Sequence, residues 1–186
     1  MSILKKYIEH VINEGSQSPP TQVTDEIFYW NARDKGSISP GFSVPNARPR
    51  GWDGKERAQV CEEVFEEIRK KEFSDRPSRL SCKYVCPPES KNCSYGSSNH
   101  KVKVTGKVFY TNQEFWTEAM MDAGRVGSRR TQNGKTRTLT LDDIKKDIAY
   151  WARDYWQGID KAHIKSVPIP EVLVDGEVTV IKKSKQ

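Results

Sequence analysis

PEVLVDGEVTVIKK (residues 170–183) is the stretch on which the reading of the fold turns. Two runs rich in β-branched residues flank Asp175-Gly176, and Asp-Gly in that setting is among the strongest short-range hairpin signals, because both residues accept positive φ. The expectation is a C-terminal hairpin whose strands are IPEVLV and EVTVIKK.

Working upstream, Thr140 is placed to cap a helix from Leu141 to Gln157, with Asp142 and Asp143 in its first turn and Gly158 beyond its end. Ile148, Trp151 and Tyr155 fall at helical spacing, which favours the core for them. HKVKVTGKVFYT (100–111) sets Val102 and Val104 against lysines and reads as a half-buried strand or hairpin. A short helix is expected over 112–122 around Phe115 and Trp116, followed by the polar loop RVGSRRTQNGKTR (125–137). SRLSCKYVC (78–86) reads as a strand that puts Cys82, Tyr84 and Cys86 on one face. A helix from about Gly54 to Phe73 would bury Val60, Cys61, Val64, Phe65 and Ile68, and send Glu62, Glu63, Glu66 and Glu67 to solvent. Residues 34–54 are dense in Gly, Pro, Ser and Asn and read as irregular, and EIFYW (26–30) as a strand. An amphipathic helix over 1–14 would precede one domain, 15–186. Helices and strands mix without a βαβ rhythm, so the fold class is α+β.

Composition narrows the classes. The chain has 186 residues, 30% of them charged, and a formal charge of +6. No apolar run reaches the ~18 residues that span a bilayer. MSILKKYIEHVINEG carries charges through its apolar positions, unlike a signal peptide. The expectation is a cytoplasmic protein without membrane attachment, its four cysteines reduced. Cys82, Cys86, Cys93 and His100 follow C-x3-C-x6-C-x6-H, which is no usual zinc pattern. Cys82 and Cys86 would also lie about 13 Å apart on an extended strand, so no metal site is expected. Phosphate-loop, dinucleotide-binding, zincin and nucleophile-elbow motifs are missing, and His10, His100 and His163 read as structural.

FYWNARDKGSISPGF (28–42), SCKYVC (81–86) and PEVLV (170–174) occur in an order that resembles the ADP-ribosyltransferase-like family, in particular DarT-type DNA ADP-ribosyltransferases and CmdT-like mRNA ADP-ribosyltransferases. The resemblance covers residues 26 to the end. It implies two small, packed antiparallel sheets with flanking helices and NAD as co-substrate in the cleft between them. Glu171 falls at the family's catalytic glutamate, whose role is to stabilise the cation that develops as nicotinamide leaves. Its other reading is a solvated strand-edge residue. Tyr84 falls at the aromatic that stacks on nicotinamide, or else is a core tyrosine. Arg79, beside Ser81, is placed to reach the pyrophosphate or to hold a turn. Trp30 stands where many relatives have a histidine that anchors a ribose, leaving Asn31 or Arg33 to substitute.

The target surface is basic. Residues 125–137 hold Arg125, Arg129, Arg130, Lys135 and Arg137 and no acid. Five cations suit the phosphates of RNA or DNA without fixing a base. Trp151, Tyr155 and Trp156 are either core or platforms for an unpaired base. The resemblance implies a toxin or defence effector, and hence an antitoxin or other neutralising protein. A non-catalytic nucleic-acid-binding domain, a protein acceptor and a related nucleotide enzyme remain open as alternatives.

Overall fold

The computed structural model describes residues 22–32, 38–45, 56–88 and 98–183; the expected N-terminal helix lies outside them. In chain order the elements are β1 (Gln22–Ala32), α1 (Glu56–Glu72), β2 (Lys83–Val85), β3 (Ser98–Asn112), α2 (Glu114–Ala123), β4 (Arg129–Gln132), β5 (Lys135–Thr138), α3 (Leu141–Gln157), a 3-10 turn (Lys161–Ser166) and β6 (Pro170–Lys183). The fold is α+β, with a four-stranded antiparallel sheet of order β1-β3-β6-β2 and a separate two-stranded sheet, β4-β5. No helix among the described residues is long and apolar enough to cross a membrane.

The stretch at 170–183 is one strand, not a hairpin. β6 runs antiparallel to β3 from Asn112↔Pro170 to His100↔Lys183, with Gly106 directly opposite Gly176. Here glycine answers to close backbone approach. A Cβ on Gly176 would lie 2.3 Å from the carbonyl oxygen of Thr105, and one on Gly106 would lie 2.6 Å from that of Asp175. Both glycines have positive φ, 159° and 140°, so two long strands bend together at a point where side chains would collide.

Bending carries the sheet round until its outer strands meet. Tyr29 donates its amide to the carbonyl of Cys86 at 3.0 Å and accepts one in return at 2.7 Å. Inside the curl lie Phe28, Val102, Val104, Val108, Tyr110, Val172, Val174, Val178 and Val180, plugged by Val44, Ile159, Ile164 and Val167. β3 and β6 alternate, so Phe109 and Leu173 point the other way, into a second core made by α1, α2 and α3. This half of the sheet is covered on both faces.

The sequence SRLSCKYVC forms a strand only at Lys83–Val85, with a single bridge at Cys86; residues 79–81 make a turn. Cys61 and Cys82 are free and buried, each thiol pushed up to about 12, chiefly by burial. Cys86 is disulfide-bonded to a partner outside the described residues, which corrects the expectation of reduced thiols throughout. The expected polar loop is also corrected. Arg129–Gln132 and Lys135–Thr138 pair as a hairpin around Asn133-Gly134, whose φ values of 53° and 73° fit a two-residue primed turn. That hairpin leans on α3 through ion pairs, and among the described residues it has no extensive contact with the strands of the large sheet.

Candidate functional site

The centre of the helix-covered core is polar. Arg79 follows the sharp descent from α1, in which Cys82 donates its amide to the carbonyl of Ser78 at 2.9 Å. This turn swings the guanidinium under all three helices. Its Nε and Nη2 donate to the two oxygens of Glu62 on α1, at 3.2 and 3.4 Å. Its Nη1 donates to Oε2 of Glu171 at 3.0 Å and to the hydroxyl of Tyr155 on α3. Tyr155 in turn donates to the same Oε2 at 2.6 Å. Tyr84 donates its hydroxyl to the carbonyl of Arg79 at 3.1 Å.

Aromatic rings wall the cation. Its central carbon sits 4.5 Å from the ring of Trp116, 4.9 Å from Tyr155, 5.3 Å from Tyr84 and 5.8 Å from Phe65. Cation–π contact of this kind partly replaces the hydration a buried guanidinium loses. Burial opposes the charge on Arg79, but Tyr155, Tyr84, Glu62 and Glu171 together hold its pKa well above the usual value. Burial raises the phenols of Tyr84 and Tyr155 well above theirs, so both stay protonated and able to donate.

The two carboxylates are not equivalent. Glu62 gives both oxygens to Arg79 and is closed as a counter-ion. Glu171 takes both of its bonds on Oε2. Its Oε1 has no hydrogen bond among the described residues and is not one of the fully enclosed unpartnered atoms, so it is the less confined of the two oxygens. The residue as a whole is 8% exposed. Glu171 is thus a pinned carboxylate presenting one oxygen at the start of β6, beside the half-buried rings of Tyr84 and Trp116.

The structure brings Arg79, Tyr84 and Glu171 into one network. Ser81 is exposed in the turn between Arg79 and β2. Trp30 lies elsewhere, stacked on Phe42 at 6.0 Å and tilted against His100 at 5.8 Å. Arg33 and the side chain of Asn31 fall outside the described residues. Two members of the network do not stand out in the sequence. Helical spacing places the Tyr155 ring in the core, but it is the hydroxyl that joins the network. Charge alone sends Glu62 to solvent, but it sits four residues after Ala58 and three before Phe65, both buried, and that spacing puts it on the apolar stripe.

The basic segment is less free than its composition suggests. Arg125 pairs with Asp122 at 2.8 Å, Arg130 with Asp147 at 2.6 Å, and Arg137 with Asp143 at 3.0 Å. Arg129 and Lys135 have no ion pair among the described residues. Tyr155 and Trp156 are buried and Trp151 is partly so, its indole donating to Asp122 at 2.8 Å. Among the described residues no group of three or more His, Cys, Asp or Glu is placed to hold a metal ion.

An α+β fold with an arginine–glutamate–tyrosine centre under its sheet describes the class of protein. Residues 53–186 match the model of the family described as "Protein of unknown function (DUF2441)", and the chain belongs to that family. No curated protein matches it.

Proposed function

We propose that this chain is an NAD-dependent ADP-ribosyltransferase that moves ADP-ribose from NAD to a base of RNA or DNA, working as a toxin or defence effector held in check by a neutralising protein. One observation carries the reading: Glu171, the residue the resemblance marks as catalytic, is held by two hydrogen bonds on Oε2 and offers Oε1 outward. A fixed negative oxygen is what a developing cation needs, because it requires no reorganisation when charge appears. NAD supplies a glycosidic bond whose cleavage leaves positive charge on the ribose and sends the bonding electrons to nicotinamide. Oε1 faces that charge, while a nitrogen lone pair of the acceptor base makes the new bond to the ribose carbon and its N–H proton passes to water. Arg79 and Tyr155 position the carboxylate, and Tyr84, half-buried beside it, offers an edge or face to the nicotinamide end. Arg79 is occupied by Glu62, Glu171 and Tyr155, so its part in this reading is to hold the glutamate and not to bind a pyrophosphate.

A second reading, a nucleic-acid-binding domain without catalysis, is favoured by the mutual pairing of Arg79, Glu62, Tyr155 and Oε2 of Glu171, which are the bonds a purely structural centre makes.

Mass spectrometry of RNA and of DNA after incubation with protein and NAD separates the readings. An ADP-ribose adduct on either polymer supports the transferase. Free ADP-ribose alone points to a hydrolase, modified protein to a side-chain acceptor, and unchanged NAD to the binding domain.

A further inference from the structure

The β4–β5 hairpin has two unlike faces. Cross-strand pairs alternate, so Arg130, Gln132, Lys135 and Arg137 share one side, and Arg129, Thr131, Thr136 and Thr138 share the other. The first side is concave. Arg130, Gln132, Asn133, Lys135 and Arg137 line a depression of about 320 Å³, with three cations, two amides and no acid among its lining residues. Asp147 and Asp143 of α3 grip Arg130 and Arg137 from below the depression. Arg130 uses a single N–H on Asp147, leaving other donors of its planar fork free. Asp147 therefore aims the guanidinium of Arg130, whereas Asp143 holds Arg137 through both of its terminal nitrogens.

The α3 face that anchors the hairpin continues past it. Asp143, Asp147 and Tyr150 recur at i, i+4 and i+7, on one side of the helix. Tyr150 is 50% exposed, an unusual position for an aromatic ring, and stands one helical turn beyond the anchor of Arg130. Trp151 meets it edge-on, with ring centroids 5.1 Å apart, and fixes its orientation. A cationic concavity followed by an exposed, braced ring is the pairing that holds single strands: the groove tracks the backbone and the ring stacks on an unpaired base.

We propose that the concave face of the hairpin and Tyr150 together form a track for single-stranded nucleic acid, with Arg130, Lys135 and Arg137 on phosphates and Tyr150 under a base. Lys135, which has no ion pair among the described residues, and the donors that Arg130 keeps free select a polyanion, and the exposed ring selects unpaired bases over a duplex, whose bases are already stacked. This deepens the acceptor part of the function proposed above and rests on it only for its biological use. The binding itself requires neither NAD nor Glu171.

Fluorescence anisotropy with labelled single-stranded DNA and RNA of mixed sequence, and with the matching duplex, tests this without NAD. The single strands should bind more tightly than the duplex. Log K should fall with log salt at a slope of about −2, as three phosphate contacts require, where all five cations of the segment would give about −3.5. Tyr150→Ala should weaken binding roughly 5- to 100-fold. Lys135→Ala, at an exposed position that leaves folding untouched, should weaken it and flatten the slope by about 0.7. Arg129→Ala, on the opposite face, should do neither. Preference for duplex, equal losses from Arg129→Ala and Lys135→Ala, or full affinity in Tyr150→Ala would each overturn the track. Because no NAD is present, failed ADP-ribose transfer would leave this result standing, and failed binding would leave the chemistry of Glu171 to be judged alone.

Discussion

Arg79→Met tests the buried centre most severely. The substitution keeps a long, flexible side chain among Phe65, Tyr84, Trp116 and Tyr155 but removes the guanidinium that faces Glu62 and Glu171. Both acids are less than a tenth exposed, so water replaces little of what is lost. Deleting one partner of a buried pair costs about 3–5 kcal/mol, because a charge is left without compensation. For a chain of this size each kcal/mol moves the melting temperature by about 2–4 °C, so the fall expected is roughly 6–20 °C. Urea unfolding at pH 7, followed by circular dichroism, gives the free energy directly. A companion variant separates loss of charge balance from loss of packing. Adding Glu62→Gln and Glu171→Gln to Arg79→Met removes the stranded charges and should recover at least half of the deficit. An Arg79→Met loss under about 1 kcal/mol, or a triple variant no more stable than the single one, would refute the reasoning that the centre is a buried ion network.

Other expectations follow from single contacts. Gly106→Ala drives a methyl against the carbonyl of Asp175 and fixes a residue at φ 140°, so thermal unfolding should reveal a loss of about 2–5 kcal/mol. Burial raises the carboxyl of Asp154, whose Oδ2 is without a hydrogen bond, from 3.8 to about 6. A raised acid favours the protonated fold, so its penalty is missing below about pH 4 and complete above about pH 6. Asp154→Asn should therefore stabilise the protein at pH 7 by about 1–2 kcal/mol, a figure discounted for the partial exposure of the side chain, and should have no effect at pH 3.5 in parallel urea titrations. Thr140→Ala removes the reciprocal cap in which Thr140 and Asp143 bond each other's backbone, and should cost about 1 kcal/mol in the same assay.

What could be read from the chain depended on how far apart the deciding residues lie. α3 was legible to the residue because its signals are local: Thr140 and Asp143 form the cap, and Gly158 ends the helix. The sheet was not. Asp175-Gly176 carries a hairpin signature, and what overrides it is Gly106, seventy residues earlier, which lets two backbones cross where no turn is needed. The true hairpin, at Asn133-Gly134, has the same kind of turn dipeptide but flanking strands of Arg, Thr, Gln and Lys. Apolar alternation could not reveal those strands, since neither of their faces enters the core. In the site, Arg79, Tyr84 and Glu171 were separately legible, whereas Glu62 was misplaced by reading charge before helical phase. Ion pairs of Arg125, Arg130 and Arg137 with acids on α2 and α3 were invisible in a segment that itself contains no acid.

The central claim is that Oε1 of Glu171 faces a developing cation. Nicotinamide release from NAD, followed by chromatography in the presence of single-stranded RNA or DNA, tests it most directly when wild type and Glu171→Gln are compared at a temperature where both are folded. Loss of the charge should lower kcat by a factor on the order of 100 to 1,000 while KM stays within a few-fold. A wild-type protein that releases no nicotinamide, or a Glu171→Gln variant that releases it as fast as wild type, would contradict the account.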